Sequence, residues 1–248
     1  MNILFTVCAR AGSKGAVGKN VRMFCGQPIV YYTLEIYEKY MKKYGNENKI
    51  ALAVNTDSGQ LLEQIDNKGT KYLLVKRKEE LAGDAVAKGE VIRDTFMTAE
   101  KMNKCVYELI VDLDITSPLR TMEDVEGTIC QVTQNDKCNF AYSVVESRRS
   151  PHFNMVCKTE DGFYDRVIPS GYTARQQVPE CFDMNASIYV WARNYLLDLS
   201  TQNRHALVWK MRDSVVLDID SEDDFEMMEL LAKYYWERGR YLDIKPQE

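Results

Sequence analysis

The chain has 248 residues, of which 45% are hydrophobic and 28% charged, and its formal net charge at pH 7 is −5. This length and composition are typical of a globular protein with a sizeable core. The negative charge argues against a general nucleic-acid-binding protein, and no apolar run approaches the length of a membrane span.

The cysteine content indicates a reducing environment. Seven cysteines are present, none of them in a Cys-x-x-Cys pair, and there are only two histidines. We therefore expect reduced thiols in a cytoplasmic protein without a zinc site. The apolar run at the N-terminus ends at Arg10 and lacks a basic leader, so we do not interpret it as a signal peptide.

Strand-like and helix-like segments alternate through most of the chain. The predicted strands are residues 3–8, 50–54, 72–75, 109–113 and 186–191. The predicted helices begin near Pro28 and Ser58 and span 88–102, 122–132 and 222–235. Strands separated by helices favour right-handed crossovers, which predicts an α/β fold with a Rossmann-like, doubly wound, mainly parallel sheet. Ligands bind beyond the carboxyl ends of the strands in such sheets.

The alternation breaks after Tyr142. Short candidate strands at 153–156 and 163–168 flank a hairpin-like turn, and the stretch that follows has no regular pattern. We interpret residues from about 146 to 182 as a small lobe inserted into a single domain that spans 1–248.

A glycine-bearing, cationic segment follows the first predicted strand. Its glycines at 12, 15 and 18 let the backbone turn sharply and approach a ligand, and no acidic residue occurs before Glu35. The positive charges in this segment are those of Arg10, Lys14, Lys19 and Arg22. Such a loop at a strand end suits a polyphosphate; a basic surface loop with ordinary turn glycines is the alternative. The spacing matches neither a P-loop, which would have Ser or Thr in place of Asn20, nor the dinucleotide-binding fingerprint.

Asp218 and Asp220 are the second informative feature. In a predicted strand at 217–220 they share one face, because side chains alternate along a strand. Two carboxylates this close repel each other unless a cation lies between them, and magnesium is commonly held by one or two carboxylates together with substrate phosphates. The alternative is a solvated acidic edge that leads into a helix cap at Ser221.

Three other polar segments are candidate binding loops. Residues 114–120 follow the fourth predicted strand, and Pro118 fixes a turn there that leaves hydroxyl groups and Arg120 at the edge of the sheet. Residues 77–84, taken alone, are an exposed charged loop. Arg175 has the planar guanidinium fork that suits a carboxylate.

Together these segments resemble the motifs of the CMP-sialic acid synthetase family, the cytidylyltransferases that activate acidic sugars. The resemblance covers nearly the whole chain and implies a fold of the nucleotide-diphospho-sugar transferase type. The matching motifs are Arg-x-x-Ser-Lys-Gly-x-x-x-Lys-Asn at 10–20, Arg-x-x-x-Leu-x-x-Asp at 77–84, Thr-Ser-Pro-Leu-Arg at 116–120, Arg-Gln-x-x-Pro and Asn-x-x-x-Tyr between 175 and 189, and Asp-Ile-Asp at 218–220.

The resemblance implies that the chain transfers CMP from CTP to the anomeric hydroxyl of a nonulosonic, sialic-acid-like sugar acid and releases pyrophosphate. It also implies a homodimer, in which the lobe helps to form the sugar site of the second subunit, and magnesium as the cofactor, held by Asp218 and Asp220. The implied catalytic residues are Arg10, Lys14, Lys19, Asp218 and Asp220. The implied nucleotide-binding residues are Ala11, Gly12, Ser13, Gly15, Asn20, Arg77 and Asp84. The implied sugar-binding residues are Asp114, Thr116, Ser117, Arg120, Arg175, Gln176, Asn185 and Tyr189.

Three departures from the family pattern bear on the sugar. Asp114 and Ile115 stand where a common family form has Gln-Pro, and Ala186 stands where glycine is frequent. A lysine that some sialic acid enzymes place just after a proline has no counterpart after Pro151. Asp114 and the missing lysine favour a legionaminic- or pseudaminic-type acid over N-acetylneuraminic acid.

Three other functions stay open at this point. A 3-deoxy-manno-octulosonate (Kdo) cytidylyltransferase performs the same chemistry on an eight-carbon acid. A sugar-1-phosphate nucleotidyltransferase shares the fold, but its usual Gly-x-Gly-x-Arg loop with a following Pro-Lys is missing here. A catalytically silent nucleotide-binding regulator is the third, although a mere binder does not need the two carboxylates at 218 and 220.

Overall fold

The computed structural model describes residues 1–12, 15–83, 86–198, 206–215 and 217–245. Within these ranges the centre of the molecule is a seven-stranded sheet, accompanied by two short two-stranded sheets. Numbered in chain order, the strands are β1 (Asn2–Cys8), β2 (Met23–Phe24), β3 (Gln27–Pro28), β4 (Lys49–Thr56), β5 (Leu73–Lys76), β6 (Leu109–Leu113), β7 (Phe140–Glu146), β8 (Val156–Lys158), β9 (Tyr164–Arg166), β10 (Phe182–Ala192) and β11 (Ala206–Lys210). The α-helices are α1 (Ile29–Tyr44), α2 (Gly59–Lys68), α3 (Lys88–Asn103), α4 (Met122–Thr133), α5 (Arg193–Leu197) and α6 (Glu222–Glu237).

The strands of the central sheet follow the order β11-β7-β10-β6-β1-β4-β5. β1 pairs in parallel with β4 and with β6, and β5 continues the parallel part beyond β4. β10 runs antiparallel to both of its neighbours, β6 and β7, whereas β11 is parallel to β7. The predicted α/β class with a mainly parallel sheet is therefore confirmed.

Side chains alternate along each strand, so apolar residues point to both faces of the sheet. Helices cover both of these faces. On β1, Phe5 belongs to an apolar cluster that includes Leu34 of α1. The next residue toward the N-terminus, Leu4, belongs to a second cluster that includes Ile92 and Phe96 of α3. β1 is thus buried on both sides, which explains why its sequence is a continuous apolar run.

Two strands of the sheet were not predicted, and one predicted strand was wrong. β7 crosses the predicted break at Tyr142 and continues to Glu146, and β11 forms the edge of the sheet beside it. β11 is an edge strand without a fully buried side chain, so it lacks the clean alternation that marks a half-buried strand. Residues 217–220, in contrast, have no regular secondary structure.

The segment between β7 and β10 contains the hairpin of β8 and β9, paired with Val156 opposite Arg166. A hairpin was predicted here, but its first strand begins three residues later than expected. The amides of Phe153 and Asn154 close a turn by donating to the carbonyl oxygen of Ser150, both at 3.0 Å. An inserted lobe with bounds near 146 and 182 stays a prediction.

Ser221 caps α6 as the sequence predicted. Its hydroxyl accepts a hydrogen bond from the amide of Asp224 at 3.2 Å, and the Asp224 carboxylate accepts one from the amide of Ser221 at 2.8 Å. This reciprocal box fixes the start of the helix. None of the helices in the described ranges is both long enough and apolar enough to cross a lipid bilayer.

The contact between α4 and Trp209 of β11 yields a stability prediction. A Cβ at Gly127 would overlap the six-membered ring of the Trp209 indole. Gly127→Ala should therefore destabilise the protein by about 1–3 kcal/mol through overpacking, although alanine is the better helix former by about 1 kcal/mol. Gly59→Ala in α2 is the matched control, because a Cβ there meets no atom within 4 Å. Urea denaturation measures both variants, and a stabilised Gly127→Ala protein would contradict the packing described.

Candidate active site

A cavity of about 370 Å³ opens at the carboxyl ends of β1, β5 and β6. Its walls come from the glycine loop after β1, the segment after β5, the start of α3, the turn after β6 and the segment before α6. The polar residues among its lining are Arg10, Lys19, Asn20, Arg77, Lys88, Asp114, Thr116, Asp218 and Asp220. Positive and negative side chains from distant parts of the chain thus face one open cavity.

The glycine loop is docked directly onto the acidic segment. The Nζ of Lys19 donates to the Oδ1 of Asp220 at 2.7 Å and to the carbonyl oxygen of Ile219 at 2.6 Å. The amide of Ala16 donates to the carbonyl oxygen of Asp220 at 2.9 Å. Gly15 permits this approach, because a Cβ there would overlap the same carbonyl oxygen. Lys19 and Asp220, two of the implied catalytic residues, therefore lie in direct contact.

Asp218 and Asp220 reach the cavity from a loop, and not from the strand that the sequence predicted. The amide of Ile219 donates to the carbonyl oxygen of Thr116 at 3.2 Å, and the Ile219 side chain is fully buried. This anchor leaves the aspartate on each side of Ile219 to line the cavity. The carboxylates share a cavity because the segment is pinned between two neighbours, and not because they alternate along a strand.

Asp218 lies in a setting that disfavours its negative charge. Burial, and after it the charge of Asp114, raises the pKa of Asp218 above its ordinary value. A hydrogen bond between its carboxylate and the Thr116 hydroxyl opposes that shift. A divalent cation between Asp218 and Asp220 would relieve the unfavourable charge, so this donor pair fits magnesium. Within the described ranges no group of three or more acidic, histidine or cysteine side chains could hold a metal by itself, so substrate oxygens would have to complete the shell.

Lys88 is a polar residue of the cavity that the sequence analysis did not select. Its Nζ lies 2.7 Å from the Oδ2 of Asp114, 3.1 Å from the Oδ2 of Asp112 and 4.7 Å from the ring centre of Tyr189. The position of Lys88 at the start of a predicted helix could have identified it from the sequence. Lys88 is the first residue of α3, and the positive end of the helix dipole disfavours a cation there, which implies compensating carboxylates nearby.

The far end of the cavity is built around Arg77. Its Nε donates to the side-chain oxygen of Asn55 at 2.9 Å, and Asn55 is fully buried. The amide nitrogen of the Asn55 side chain donates in turn to the hydroxyl of Thr95 at 2.8 Å. Asn55 therefore orients the Arg77 guanidinium. Asp84, one of the implied nucleotide-binding residues, lies outside the described residues.

The remaining loop residues take varied positions. The amide of Ala11 donates to the Oδ1 of Asp57 at 2.6 Å, and the Asn20 side chain donates to the carbonyl oxygen of Arg10 at 3.3 Å. Arg10 also donates to the carbonyl oxygen of Ala82 at 3.3 Å. These contacts tie the loop to β4 and to the segment after β5. Gly12 is exposed and adopts a left-handed backbone conformation. Ser13 and Lys14 lie outside the described residues.

Arg120 lies in the turn at the carboxyl end of β6, at the predicted edge of the sheet, but it is buried there. It is 1% exposed, and its guanidinium donates to the carbonyl oxygens of Asp114 and Ser117 inside the turn after β6. Burial lowers the pKa of Arg120 to about 10. Ser117 is equally buried. Both residues therefore support the turn from beneath and do not line the cavity, whereas Thr116 and Asp114 of the same turn do.

The predicted sugar-binding residues of the second half are dispersed. Asn185 is 1% exposed, and its side chain bonds to the hydroxyl of Ser143 at 2.7 Å and to the carbonyl oxygen of Val215 at 3.2 Å. Arg175 and Gln176 line a separate cavity of about 210 Å³ beside the hairpin segment. Tyr189 reaches the first cavity only through its contact with Lys88. Sugar contacts for these residues stay predictions.

Comparison with known proteins agrees with the geometry. The cytidylyltransferase family profile matches residues 4–238. The chain belongs to the cytidylyltransferase family. It is 35% identical over 235 residues to "Post-translational flagellin modification protein B" of Campylobacter coli, covering 93% of this chain and 95% of that protein. It is 34% identical over 230 residues to the CMP-N,N'-diacetyllegionaminic acid synthase of Campylobacter jejuni, covering 92% and 94%.

A solved structure shows the same fold in another cytidylyltransferase. The CMP:2-keto-3-deoxy-manno-octonic acid synthetase complexed with CTP superimposes with a TM-score of 0.65 over 94% of this chain and 99% of that chain. The two sequences are 14% identical, so the likeness concerns the fold alone.

Gly15 gives a direct test of the docked loop in this cytidylyltransferase. Gly15→Ala should push the loop away from Asp220 and lower turnover on the order of 100-fold, since misplacement by about 1 Å can have that effect. Circular dichroism should show an unchanged secondary structure, because Gly15 lies outside the helices and strands. Gly59→Ala serves again as the alanine control, and full activity of Gly15→Ala would show that the close approach is not needed.

Proposed function

We propose that this cytidylyltransferase transfers CMP from CTP to the anomeric hydroxyl of a nonulosonic acid and releases pyrophosphate. The observation that carries the proposal is the ion pair between Lys19 and Asp220 at the wall of the cavity. A cationic loop and an acidic segment at the same strand ends meet the two needs of the reaction. Cations neutralise the pyrophosphate leaving group, and carboxylates suit a metal on the phosphate that is attacked.

The nucleotide is expected to lie with its base near Arg77 and its phosphates along the glycine loop. Arg77 is held by Asn55 and presents its guanidinium at the cavity wall, where it can donate to the base carbonyl. Arg10 and Lys19, together with Lys14 and the loop amides, would bind the triphosphate. The loop thereby fixes CTP so that the α-phosphate faces the second substrate.

Asp218 and Asp220 are the residues that would hold magnesium. When bound, the metal supplies Lewis-acid polarisation of the α-phosphate and a template for its orientation. The sugar hydroxyl oxygen forms a bond to the α-phosphorus as the bond to the pyrophosphate oxygen breaks. We assign acceptance of the hydroxyl proton to Asp218, directly or through a water, because its carboxylate lines the cavity beside Thr116.

A legionaminic-type acid is the substrate that we propose among the nonulosonic acids. One relative at 34% identity is named for CMP-N,N'-diacetyllegionaminic acid synthesis, and the match covers nearly the full length of both chains. Asp114, which departs from the family's usual glutamine, lines the same cavity as Asp218. A changed polar group beside the reacting end supports a changed sugar.

The substrate proposal is tested by pyrophosphate release from CTP and magnesium with a panel of sugar acids. We expect the highest kcat/KM with N,N'-diacetyllegionaminic acid and lower values with pseudaminic acid, N-acetylneuraminic acid and Kdo. A preference for Kdo would transfer the proposal to the eight-carbon acid. CTP binding in calorimetry without pyrophosphate release from any acid would instead favour the nucleotide-binding regulator.

The paired charges yield a mutational prediction. Asp220→Ala and Lys19→Ala should each lower kcat on the order of 100- to 1,000-fold, the usual effect of losing a preorganised charge at a reacting phosphate. Asp223→Ala is the matched control, since Asp223 is an exposed aspartate of α6 outside the cavity lining. Removal of divalent ions with EDTA should abolish turnover in the unaltered protein. Near-normal turnover in both site variants would overturn the proposed mechanism.

We also propose that the protein is a homodimer in the cytoplasm, formed through the β8–β9 hairpin. All seven cysteines are free thiols, as is typical of a reducing compartment. The hairpin and its flanks expose a group of large apolar side chains that a partner surface could cover. They are Met155, Val156, Phe163, Tyr164, Val167 and Ile168.

Dimerisation through the hairpin predicts a specific response to charge. Phe163→Glu should shift the protein toward the monomer, because it would place a charge inside an apolar interface. Leu230→Glu is the control, since Leu230 is comparably exposed but lies on α6. Size-exclusion chromatography with light scattering measures the mass of each variant. This interface would be excluded if the unaltered protein is a monomer, or if the Phe163→Glu variant is still a dimer.

A further inference from the structure

The cluster around Lys88 has no role in the mechanism described so far. Its ammonium is enclosed by the carboxylates of Asp112 and Asp114 and by the face of the Tyr189 ring. These residues come from the start of α3, from β6 and its following turn, and from β10. Three other parts of the fold are thus positioned around one cation of α3 at the wall of the cavity.

The two carboxylates of the cluster differ in their access to a ligand. Asp112 is 1% exposed, and its second oxygen accepts a hydrogen bond from the hydroxyl of Thr6 at 2.7 Å. The side chain of Asp114 is 24% exposed and lines the cavity. Asp112 therefore anchors Lys88 from the interior, and Asp114 is the member of the pair that a substrate can reach.

Asp114 is held as an acceptor with little remaining freedom. Its Oδ2 accepts from Lys88 at 2.7 Å, and its Oδ1 accepts from the amide of Thr116 at 3.2 Å and lies 2.8 Å from the Thr116 hydroxyl, whose single hydrogen it shares with Asp218. A carboxylate has about four acceptor sites, so roughly one is left for a ligand. Burial alone would raise the pKa of Asp114, but the charge of Lys88 and the hydrogen bonds from Lys88 and Thr116 together outweigh it and lower that pKa below the usual range.

Lys88 is poorly suited to bind the triphosphate. It is already neutralised by two carboxylates, so the cluster of three residues carries one net negative charge. A polyanion would be repelled by that sum, whereas a hydrogen-bond donor would be attracted. The cluster also borders Thr116, which bonds to Asp218 at the reacting end of the cavity.

We propose that Lys88 is a positioning residue that holds Asp114 as a charged acceptor for an N–H or O–H group of the sugar acid. The inference rests on the proposed function and adds a determinant of sugar specificity to it. An amide side chain at position 114 would offer a donor as well as an acceptor, so aspartate restricts the site to substrates that donate there. Lys88 keeps the carboxylate ionised and directed into the cavity.

Three variants test this inference in the pyrophosphate-release assay with N,N'-diacetyllegionaminic acid. Lys88→Met and Asp114→Asn should each lower kcat/KM for the sugar acid by about 10- to 100-fold, the usual effect of losing a hydrogen bond to a charged group. KM for CTP should change by less than about threefold, since the inference assigns the pair to the sugar acid and not to the nucleotide. The double variant should be no worse than the more impaired single variant, because both changes remove one interaction.

Lys88→Arg provides the conservative comparison, and we expect its kcat/KM for the sugar acid to lie between those of the unaltered protein and Lys88→Met. Asp114→Asn keeps the interior pair of Lys88 and Asp112, so it is informative even where loss of Lys88 unfolds the protein through an unpaired buried carboxylate. Calorimetric titration with CTP alone checks that the nucleotide site is intact in each folded variant.

The outcomes separate this inference from the proposed function. No pyrophosphate release by the unaltered protein with any sugar acid overturns the proposed function and this inference together. Normal turnover by the unaltered protein with an unchanged sugar kcat/KM in Asp114→Asn overturns the inference alone. A large loss of CTP affinity in Lys88→Met, or additive losses in the double variant, would likewise overturn it.

Discussion

The docking of the glycine loop on the segment before α6 is the constraint on which the site depends. These two stretches are about 200 residues apart in sequence, yet they share a backbone hydrogen bond from Ala16 to Asp220 and a side-chain contact from Lys19. Backbone contact of this kind fixes relative position more firmly than an ion pair between two flexible side chains, because fewer rotamers are involved. The absence of a side chain at residue 15 permits the contact.

The charged side chains that line the cavity are balanced by partners of opposite charge. Asp218 is buried near another carboxylate, while Asp114 and Asp112 share a single ammonium. Buried charges are tolerable when each has a partner or enough hydrogen bonds. The pairs at Lys19 and Lys88 meet that requirement in different ways. Lys19 pairs with Asp220 between two loops that line the cavity. Lys88 is anchored to the interior of the protein through Asp112.

The sequence was sufficient to predict five of the seven strands of the central sheet and the helices on both of its faces. These follow from local periodicity, whereas the joint role of Lys19 and Asp220 was implied by the resemblance to a known family. Other features depend on contacts between distant segments. To predict that Arg120 is buried, one would need to know that the turn after β6 folds over it. To predict that Asn55 orients Arg77, one would need to know the direction of the Arg77 side chain.

The error at residues 217–220 has a physical origin. Alternating apolar and acidic residues are the pattern of a half-buried strand, but Ile219 alone enters the core and Thr116 supplies the anchoring carbonyl. A single buried side chain with one backbone bond produces the same pattern as a strand. The prediction that both carboxylates face one cavity is nevertheless correct. In the loop, as in a strand, the side chain of Ile219 points away from those of Asp218 and Asp220.

The position of the hairpin segment between β7 and β10 has a consequence for how such an enzyme can diversify. The segment leaves and re-enters the sheet through two adjacent strands, and the amide of Ser147 donates to the carbonyl oxygen of Cys181 at 3.0 Å just outside the last paired residues. Its two ends are therefore clamped together. Doubling the length of a flexible loop closed in this way costs only about 0.6 kcal/mol. Insertions, deletions or wholesale exchange of this segment can thus accumulate over evolution, or be engineered, while the nucleotide-facing strands stay unchanged.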